Sequence, residues 1–374
     1  ITTDILFPIG YNLWSFGHMA LQLIGAFFVT LGIPLVVSYN LLLLGGIWTS
    51  ALCTHALAHE LTKSHRAAFI AGTTFATTPY LYAEGGSGCI ELVAAGLIPL
   101  YILSLVRLTR QPSKRRFLEA TVGLAIIGLF NWYYTLFAGM FGLGFLAWQV
   151  LEIGPKNLRK PSKVVHRKGL SMVLLSMVCA AALNAPLISE ARRETPERPG
   201  LSAELFGDER VFAEVRSVTN GSQKISELDE EILQRVDALQ VHFNSTSLRA
   251  LIEGKFEVNP LHSTPGTLAY LVGIFGLIAA GRRTWGWIAI ATGSTVLTLG
   301  PFLNVSGALL LTPAAADWPL PYHWAHEHLP FFSKAYRPYR IGIIASTALA
   351  VSGAVGAAAW IRSNTMPSFK PILV

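Results

Sequence analysis

Two arginines in an aromatic segment towards the end of the chain have the type and spacing to bind a phosphate group. The segment, YRPYR at 336–340, directly precedes a long apolar run. A guanidinium presents a planar fork of N–H donors that matches two phosphate oxygens. Arg340 would lie in the first turn of the following helix, where backbone N–H groups are free to bind an anion. We predict that Arg337 and Arg340 bind a lipid phosphate, with Tyr336 and Tyr339 at the hydrocarbon edge.

The stretch before these arginines is rich in proline, histidine and aromatic residues and contains two acids. Asp317 and Glu327 would pair with the arginines if the role of the arginines were structural, and lipid headgroups are the other structural partner. His323, His326 and His328 invite a zinc site, but their spacing is not that of a standard one. We therefore predict no metal ligands here and assign His323 to substrate binding. Whether a divalent cation takes part in the chemistry is left open.

Carboxylates in two other short segments have the type required for acid–base chemistry. Glu84 and Glu91 flank a glycine-rich stretch at 85–88, and Asp4 precedes an FPIG turn. Glycines let a ligand approach the backbone, and a carboxylate can deprotonate or orient a hydroxyl. One interpretation makes Glu84 a solvated loop residue and Glu91 a helix cap. The other, which we adopt, makes Asp4 and Glu84 catalytic and close together at a water-filled outer cavity, with Glu91 binding substrate.

A further turn, NWYY at 131–134, is aromatic. An aromatic belt at the membrane interface is one interpretation. Stacking of Tyr134 under a sugar ring is the other, and we count Tyr134 among the substrate-binding residues. The chain has no HExxH, GxSxG, P-loop or GxGxxG motif, which argues against the nucleotide chemistry of soluble enzymes.

The composition indicates that a membrane-embedded scaffold positions these residues. The 374-residue chain is 52% apolar and 14% charged, with a mean hydropathy of +0.47, whereas soluble domains average about 25% charged residues. A soluble protein is therefore excluded. The net charge of +7 does not indicate nucleic-acid binding, because the basic residues lie in short clusters between apolar runs. The three cysteines form neither a disulfide framework nor a metal-binding pair.

The apolar runs predict an all-α fold, a polytopic transmembrane helical bundle, since about 20 apolar residues cross a bilayer and short spans use about 17. An outer loop with an interfacial or re-entrant helix occupies 1–34, and transmembrane helices lie within 35–188 and 266–374. Large extracytoplasmic loops lie at 189–265 and 302–339. The candidate spans are 13–33, 35–60, 67–83, 90–108, 117–132, 134–151, 168–188, 266–281, 284–301 and 340–361.

Basic residues assign the loops to the two sides of the membrane. Five basic clusters, between spans and after the last one, hold 17 of the 29 Lys and Arg residues but only three of the 22 Asp and Glu residues. Loops rich in Lys and Arg stay in the cytoplasm, and every span from residue 35 onward obeys this rule with strict alternation. The cytoplasmic loops between spans are predicted at 61–66, 109–116, 152–167 and 282–283.

Segment 13–33 does not fit this alternation, because it would begin and end outside. His18 and Gln22 interrupt it, and it closes at Pro34. We interpret it as a re-entrant or interfacial helix on the outer face. The alternative is an ordinary span, which would place Asp4 in the cytoplasm.

Cysteine labelling checks the predicted topology. In a chain without its native cysteines, a membrane-impermeant thiol reagent added from outside should modify Ser222→Cys and spare Ser113→Cys, because the charge pattern places the two positions on opposite sides. The reverse labelling pattern contradicts the assignment.

Taken in order, five short motifs resemble those of the polytopic GT-C glycosyltransferases, which use sugars linked to polyprenyl phosphate. The motifs are FPIG at 7–10, SYNL at 38–41, AAFIAGTTFATTPY at 67–80, IPL at 98–100 and YRPYR at 336–340. Outer-face chemistry, an interfacial helix before the next span and a large outer loop are further features of that class. The resemblance covers most of residues 1–110 and 265–362.

The resemblance implies a hexosyltransferase that moves a sugar from a polyprenyl-phosphate carrier to an acceptor on the extracytoplasmic face of a bacterial inner membrane. In that class a catalytic Asp follows the first span. This chain lacks that span and so resembles a truncated member, in which Asp4 or an upstream residue is the base and Glu84 matches a second acid by position. The implied partners are membrane lipid, the lipid-linked sugar and other membrane subunits. The alternatives are a non-catalytic GT-C-like subunit and a transporter of lipid-linked sugars.

Overall fold

The computed structural model describes residues 19–86, 89–154, 164–194, 265–301, 319–329, 332 and 337–364. Asp4 and most of the two large predicted loops lie outside the described residues. The elements of the described part are helices, which confirms the predicted all-α fold. In chain order they are α1 (Met19–Thr30), α2 (Leu35–Thr62), α3 (His65–Ala76), α4 (Pro79–Gly86), α5 (Leu97–Arg110), α6 (Lys114–Phe130), α7 (Trp132–Ile153), α8 (Val164–Glu194), α9 (Thr267–Ala280), α10 (Trp285–Thr298), α11 (Pro321–His328) and α12 (Gly342–Asn364), with 3-10 segments at Ile90–Gly96, Gly281–Thr284 and Pro338–Ile341.

Five helical stretches in the described residues are long and apolar enough to cross a membrane. They are Leu35–Thr62, Leu92–Arg110, Trp132–Ile153, Arg167–Pro186 and Pro338–Ser363. Such helices indicate an integral membrane protein. Three other predicted spans correspond to the shorter helices α6, α9 and α10, of 17, 14 and 14 residues.

One predicted span, 67–83, is two helices instead. α3 ends at Ala76 and α4 begins at Pro79. A proline disfavours helical geometry in the residue before it but is well accommodated in the first turn of a new helix. The Thr78 hydroxyl donates to the Phe75 carbonyl at 2.9 Å and so closes the end of α3. The prediction of one continuous span was therefore wrong.

The segment predicted to be re-entrant or interfacial contains α1, which has 12 residues. At 1.5 Å per residue α1 is about 18 Å long, shorter than the hydrocarbon core of roughly 30 Å. It is followed by a turn in which Gly32 has a φ of 82°, and it packs on α2, where Gly25 lies beside the Leu42 side chain. The described helix therefore does not reach across a bilayer.

By its contacts the chain divides into two compact units. Unit 1 contains residues 1–16, 186–267 and 292–343, and unit 2 contains residues 17–185, 268–291 and 344–374. Within unit 2, α2 packs against α3, α5 and the 3-10 segment before α5, and α5 also packs against α6 and α7. The side chains of α5 are mostly buried, so α5 lies in the core of this unit.

Helix ends that are predicted to be cytoplasmic lie together in unit 2. Glu60, near the end of α2, forms ion pairs with Arg107 and Arg110 near the end of α5, with N–O distances of 3.5 and 3.3 Å. Arg362, near the end of α12, donates to the Thr62 carbonyl at 2.7 Å. Three helices that are predicted to run inward therefore end on one side of the unit, which we call the basic end.

α9 and α12 approach each other closely because glycines lie where they cross. A Cβ on Gly276 would collide with the Ser352 carbonyl, and a Cβ on Gly356 would lie 2.5 Å from the Cα of Gly276. The Ser352 hydroxyl donates to the Gly273 carbonyl at 3.3 Å. In membranes such small residues are what allow two helix backbones to pack in direct contact.

The variant Gly276→Ala is expected to lower the thermal unfolding midpoint of the detergent-solubilised protein, because overpacking typically costs about 1–3 kcal/mol. Gly293 in α10 is the matched control, since nothing lies within 4 Å of its Cβ position. Gly293→Ala should be neutral or stabilising, because alanine is the better helix former. Circular dichroism measures both midpoints, and equal values would contradict the close crossing.

Candidate functional site

Glu84 lies inside unit 2, on α4. Its side chain is 1% exposed. The other buried residues of α4 are Tyr80, Leu81 and Gly85. The glycine-rich sequence predicts a loop here, but the structure has Glu84 in the second turn of a helix that begins at Pro79. The difference arises because proline favours the first turn of a helix. The burial excludes a solvated loop residue at this position.

α4 is held against α2 by contacts to the backbone beside Glu84. The Tyr39 hydroxyl of α2 donates to the Gly85 carbonyl at 3.5 Å. A Cβ on Gly85 would lie 2.7 Å from the Leu43 side chain, so glycine allows α2 to pack directly against α4. The Cys89 N–H donates to the Glu84 carbonyl at 2.9 Å. These contacts fix the backbone that presents the carboxyl group.

Glu84 lies about one bilayer thickness from the basic end. Tyr39 and Glu60 are both on α2, and their separation of 21 positions corresponds to about 32 Å at 1.5 Å per residue. Tyr39 contacts the backbone next to Glu84, whereas Glu60 pairs with the arginines of the basic end. The hydrocarbon core is about 30 Å thick. A membrane around unit 2 would therefore have Glu84 near one surface and the basic end near the other.

Tyr134 connects α7 to α4 and to the 3-10 segment. Its side chain is completely buried. Its hydroxyl donates to the Leu92 carbonyl and lies 3.2 Å from the Tyr80 hydroxyl. Because Tyr80 precedes Glu84 by about one helical turn, the two share a face of α4. The Tyr134 ring lies inside unit 2 and not in an interfacial belt, and its stacking on a sugar stays a prediction.

Two buried polar side chains near this site were not predicted to be functional. Asn131 is completely buried and its side chain accepts a hydrogen bond from the Tyr133 N–H at 2.9 Å, which caps α7. Tyr80 is 1% exposed and contacts Tyr134. The spacing of four between Tyr80 and Glu84 is the signal that could have found Tyr80, because residues four apart are neighbours on a helix. No comparable signal singles out Asn131 beyond its preference for helix N-caps.

The other predicted carboxylates are only partly described. Glu91 lies in the 3-10 segment Ile90–Gly96, whose N-cap is Cys89. The sequence predicts the first turn of a transmembrane helix at this position, and the regular α-helix α5 begins six residues later, at Leu97. Asp4 lies outside the described residues. The proximity of Asp4 to Glu84 therefore stays a prediction.

In unit 1, the last three residues of the YRPYR segment lie in the 3-10 turn Pro338–Ile341, which precedes α12. Arg340 is 4% exposed, and its Nε donates to the Tyr339 hydroxyl at 3.3 Å. Its guanidinium carbon lies 5.9 Å from the centre of the Tyr339 ring, a cation–π distance. Arg337 is the N-cap of the turn and is half-buried. The two arginines thus lie three residues apart, one at the N-cap and the other within the same tight turn.

Two details of the predicted arginine site were wrong. The backbone N–H of Arg340 donates to the Arg337 carbonyl at 3.1 Å, so it is not one of the free N–H groups of a helix start. The tight turn causes this, because its hydrogen bonds close over three residues. Tyr339 is 0% exposed, which contradicts its predicted place at the hydrocarbon edge. Its ring packs inside the protein, where its hydroxyl accepts the hydrogen bond from Arg340.

His323 lies on the short helix α11 and is half-buried. The segment lies in the predicted outer loop at 302–339, but residues Pro321–His328 form a helix. The helix forms because Pro321 occupies its first position, where a proline is well accommodated. The neighbouring His326 is 5% exposed, with its ring centre 6.2 Å from that of Tyr322. In the part of the chain that the structure describes, no three His, Cys, Asp or Glu side chains converge to hold a metal ion.

The chain matches no protein-family model, no curated protein and no solved structure.

The described residues offer two kinds of chemistry near helix ends. The Glu84 carboxyl group of unit 2 can accept a proton from a hydroxyl or orient it. The Arg340 guanidinium of unit 1 can bind a phosphate and stabilise negative charge that develops on it. Both side chains are buried, and a low-dielectric interior strengthens electrostatic interactions.

Proposed function

We propose that the protein is an integral-membrane glycosyltransferase that works on the extracytoplasmic face of a bacterial inner membrane. It moves a sugar from a polyprenyl-phosphate carrier to an acceptor hydroxyl. The acceptor oxygen bonds to the anomeric carbon as the bond to the phosphate oxygen breaks. Glu84, together with Asp4, takes the proton of the acceptor hydroxyl or orients it. Arg337 and Arg340 hold the departing phosphate.

The remaining predicted residues complete the proposed site. Glu91 and His323 bind the hydroxyls of the sugar or of the acceptor, because carboxylates and imidazoles hydrogen-bond to hydroxyl groups. Stacking of Tyr134 on a sugar requires that its completely buried ring become accessible to the substrate. In the proposal the arginines carry the charge stabilisation at the phosphate, and the participation of a divalent cation is left open.

The observation that carries the proposal is the burial of Glu84 at the end of unit 2 that lies away from the basic end. Burying a carboxyl group in apolar surroundings is costly unless it is hydrogen-bonded or charge-paired. α4 presents the Glu84 carboxyl group on its buried face, beside a glycine through which α2 packs. By the positive-inside rule the basic end is cytoplasmic. Glu84 then lies near the outer surface, where a sugar on a lipid carrier is delivered to an outer acceptor.

The burial of Arg340 independently supports the proposed binding of a phosphate-linked sugar donor. The Arg340 guanidinium is buried at the start of the apolar stretch Pro338–Ser363. An outer-facing arginine runs against the positive-inside bias, and a phosphate at the interface accounts for it. A polyprenyl phosphate combines that anion with a long apolar tail, which suits a cation at the mouth of a membrane span.

The positions of the buried charges favour an enzyme over a transporter. The buried His, Asp, Glu, Lys and Arg side chains among the described residues are Glu84, His326 and Arg340. The first two lie on helices of eight residues and the third on a 3-10 turn. Transporters of charged substrates place such groups at the bilayer midplane, on interrupted spans. A non-catalytic subunit would keep the same scaffold, so only turnover separates it from the enzyme.

A transfer assay tests the proposal. The full chain is purified, reconstituted in liposomes and given undecaprenyl-phosphate hexoses that carry a radiolabelled glucose or mannose. The expected result is release of the labelled sugar to an added sugar acceptor, or slowly to water, above the level of protein-free liposomes. Binding of undecaprenyl phosphate without any release would instead identify a non-catalytic subunit. The absence of both binding and release, with both donor sugars, would contradict the proposal.

A further inference from the structure

A cleft of about 220 Å³ opens at the basic end of unit 2. It lies between α2, α5, α7 and the link from α9 to α10, all within this unit. It is at the other end of α2 from the contacts that hold Glu84. The polar side chains that line it are Thr109, Arg110, Gln149, Glu152, Arg282 and Arg283.

The lining of the cleft is positively charged. Three arginines face one acid, Glu152. Arg110 is partly neutralised by Glu60, at an N–O distance of 3.3 Å. Arg282 and Arg283 are exposed, and in the described part of the chain neither forms an ion pair. Two guanidiniums are therefore available to an anion that enters the cleft.

Indole rings border these arginines. Trp148 and Trp287 are half-buried and line the cleft. A Cβ on Gly286 would lie 2.5 Å from the Trp148 indole nitrogen, so glycine lets this ring lie against the start of α10. Arg282 lies 5.7 Å from the ring centre of Trp285. Tryptophans concentrate at the level of lipid headgroups, and their position here marks the membrane interface.

The other walls of the cleft are apolar, and exposed apolar side chains lie on the helices that end beside it. Val106, Phe145 and Ile290 line its interior. On the helices that end there, Leu151 is 71% exposed and Ile278 is 79% exposed. A soluble anion has no need of an apolar wall beside its charge partners. A phospholipid has both an anionic phosphate and acyl chains that such a wall accommodates.

We propose that this cleft binds an anionic phospholipid of the cytoplasmic leaflet. Arg282 and Arg283 contact the phosphate, and Gln149 hydrogen-bonds to the hydroxyls of the headgroup. The glycerol and the upper acyl chains lie against Phe145 and Ile290. Basic pockets between helices on the cytoplasmic side are suited to anionic headgroups. The site does not depend on the proposed sugar transfer, and its test needs no enzymatic activity.

Native mass spectrometry of the full chain in a nonionic detergent tests the proposal, with dioleoyl phosphatidylglycerol as the probe. The double variant R282Q/R283Q should bind this lipid about 25-fold more weakly, since each arginine near a membrane surface contributes about a factor of five. The matched control K114Q/R115Q removes two exposed charges from the start of α6, outside the cleft. Its affinity should stay within about twofold of the wild type.

Two further measurements distinguish a phospholipid from a soluble phosphate as the ligand of the cleft. Glycerol 3-phosphate should fail to displace the bound lipid, and phosphatidylcholine should bind more weakly because its headgroup carries no net charge. Displacement by glycerol 3-phosphate at the affinity of the lipid would overturn the assignment in favour of a soluble anion. An equal loss in the control variant, or no binding of phosphatidylglycerol, would overturn the site itself. If the double variant does not fold, Arg283→Gln alone should still lose about fivefold.

Discussion

Replacing Glu84 with glutamine is expected to lower the rate of sugar transfer by about a hundred- to ten-thousandfold, the usual contribution of a positioned general base. Glutamine keeps the size and most of the shape of the side chain, which matters because the site is buried. It cannot accept the proton of an acceptor hydroxyl at neutral pH. The measurement is kcat with undecaprenyl-phosphate hexose as donor, in the full chain reconstituted in liposomes.

Glu119→Gln is the matched control. Glu119 lies on α6 and pairs with Arg115 and Arg116 on the same helix, at N–O distances of 3.0 and 2.8 Å. These are partly exposed pairs, and their loss should change stability by no more than about 1 kcal/mol and leave transfer unchanged. An unchanged rate in Glu84→Gln would remove Glu84 from the mechanism. A thermal unfolding midpoint close to the wild type shows that the loss of rate is not a loss of fold.

Replacing Arg340 with lysine is expected to weaken the binding of undecaprenyl phosphate about 10- to 100-fold. Hydrogen bonds to a charged group are worth about 1.5–3 kcal/mol, and each 1.4 kcal/mol corresponds to about tenfold. Lysine keeps the charge but loses the planar fork and the Nε hydrogen bond to Tyr339. Arg337→Lys should act in the same direction. Calorimetric titration of the purified chain with undecaprenyl phosphate measures both affinities.

Arg116→Lys is the control for the two arginine variants. Arg116 pairs with Glu119 near the basic end and is not part of the proposed donor site. The affinity of this control variant for undecaprenyl phosphate should equal that of the wild type. Wild-type affinity in both Arg337→Lys and Arg340→Lys would reject the phosphate role of this turn. Because Arg340 is buried, the unfolding midpoint of each variant is measured alongside.

The helical scaffold could be predicted from the sequence because membrane helices are coded locally. A run of about 20 apolar residues is itself the signal, whatever it packs against. The structure accordingly has helices over nearly every predicted span, and α2, α7 and α12 extend beyond the predicted ends by only a few residues. The exception at 67–83 also had a local cause in the sequence, since Pro79 marks where α3 gives way to α4.

The contacts around the candidate site could not be predicted in the same way. In a helix that is apolar all round, periodicity does not tell the buried face from the lipid-facing one. Nothing local in the sequence pairs Tyr134 with Tyr80, which lie 54 residues apart, or Tyr39 with Gly85, which lie 46 apart. The burial of Tyr339 was missed for the same reason. Residue types suggested which groups carry chemistry, but long-range packing decides which of them meet.

The hydrogen bond from Arg362 to the Thr62 carbonyl has a consequence for how the protein is made. The two residues lie 300 positions apart, and at about 5–20 residues per second a ribosome needs about 15–60 s to pass from one to the other. Most of the apolar stretch Pro338–Ser363, near whose end Arg362 lies, is buried in the finished protein. Until it emerges, the glycine face of α9 that receives α12 borders lipid or the insertion machinery. Unit 2 therefore completes its packing only after α12 has been translated. If a ribosome stalls before α12, the glycine face of α9 stays without its partner helix.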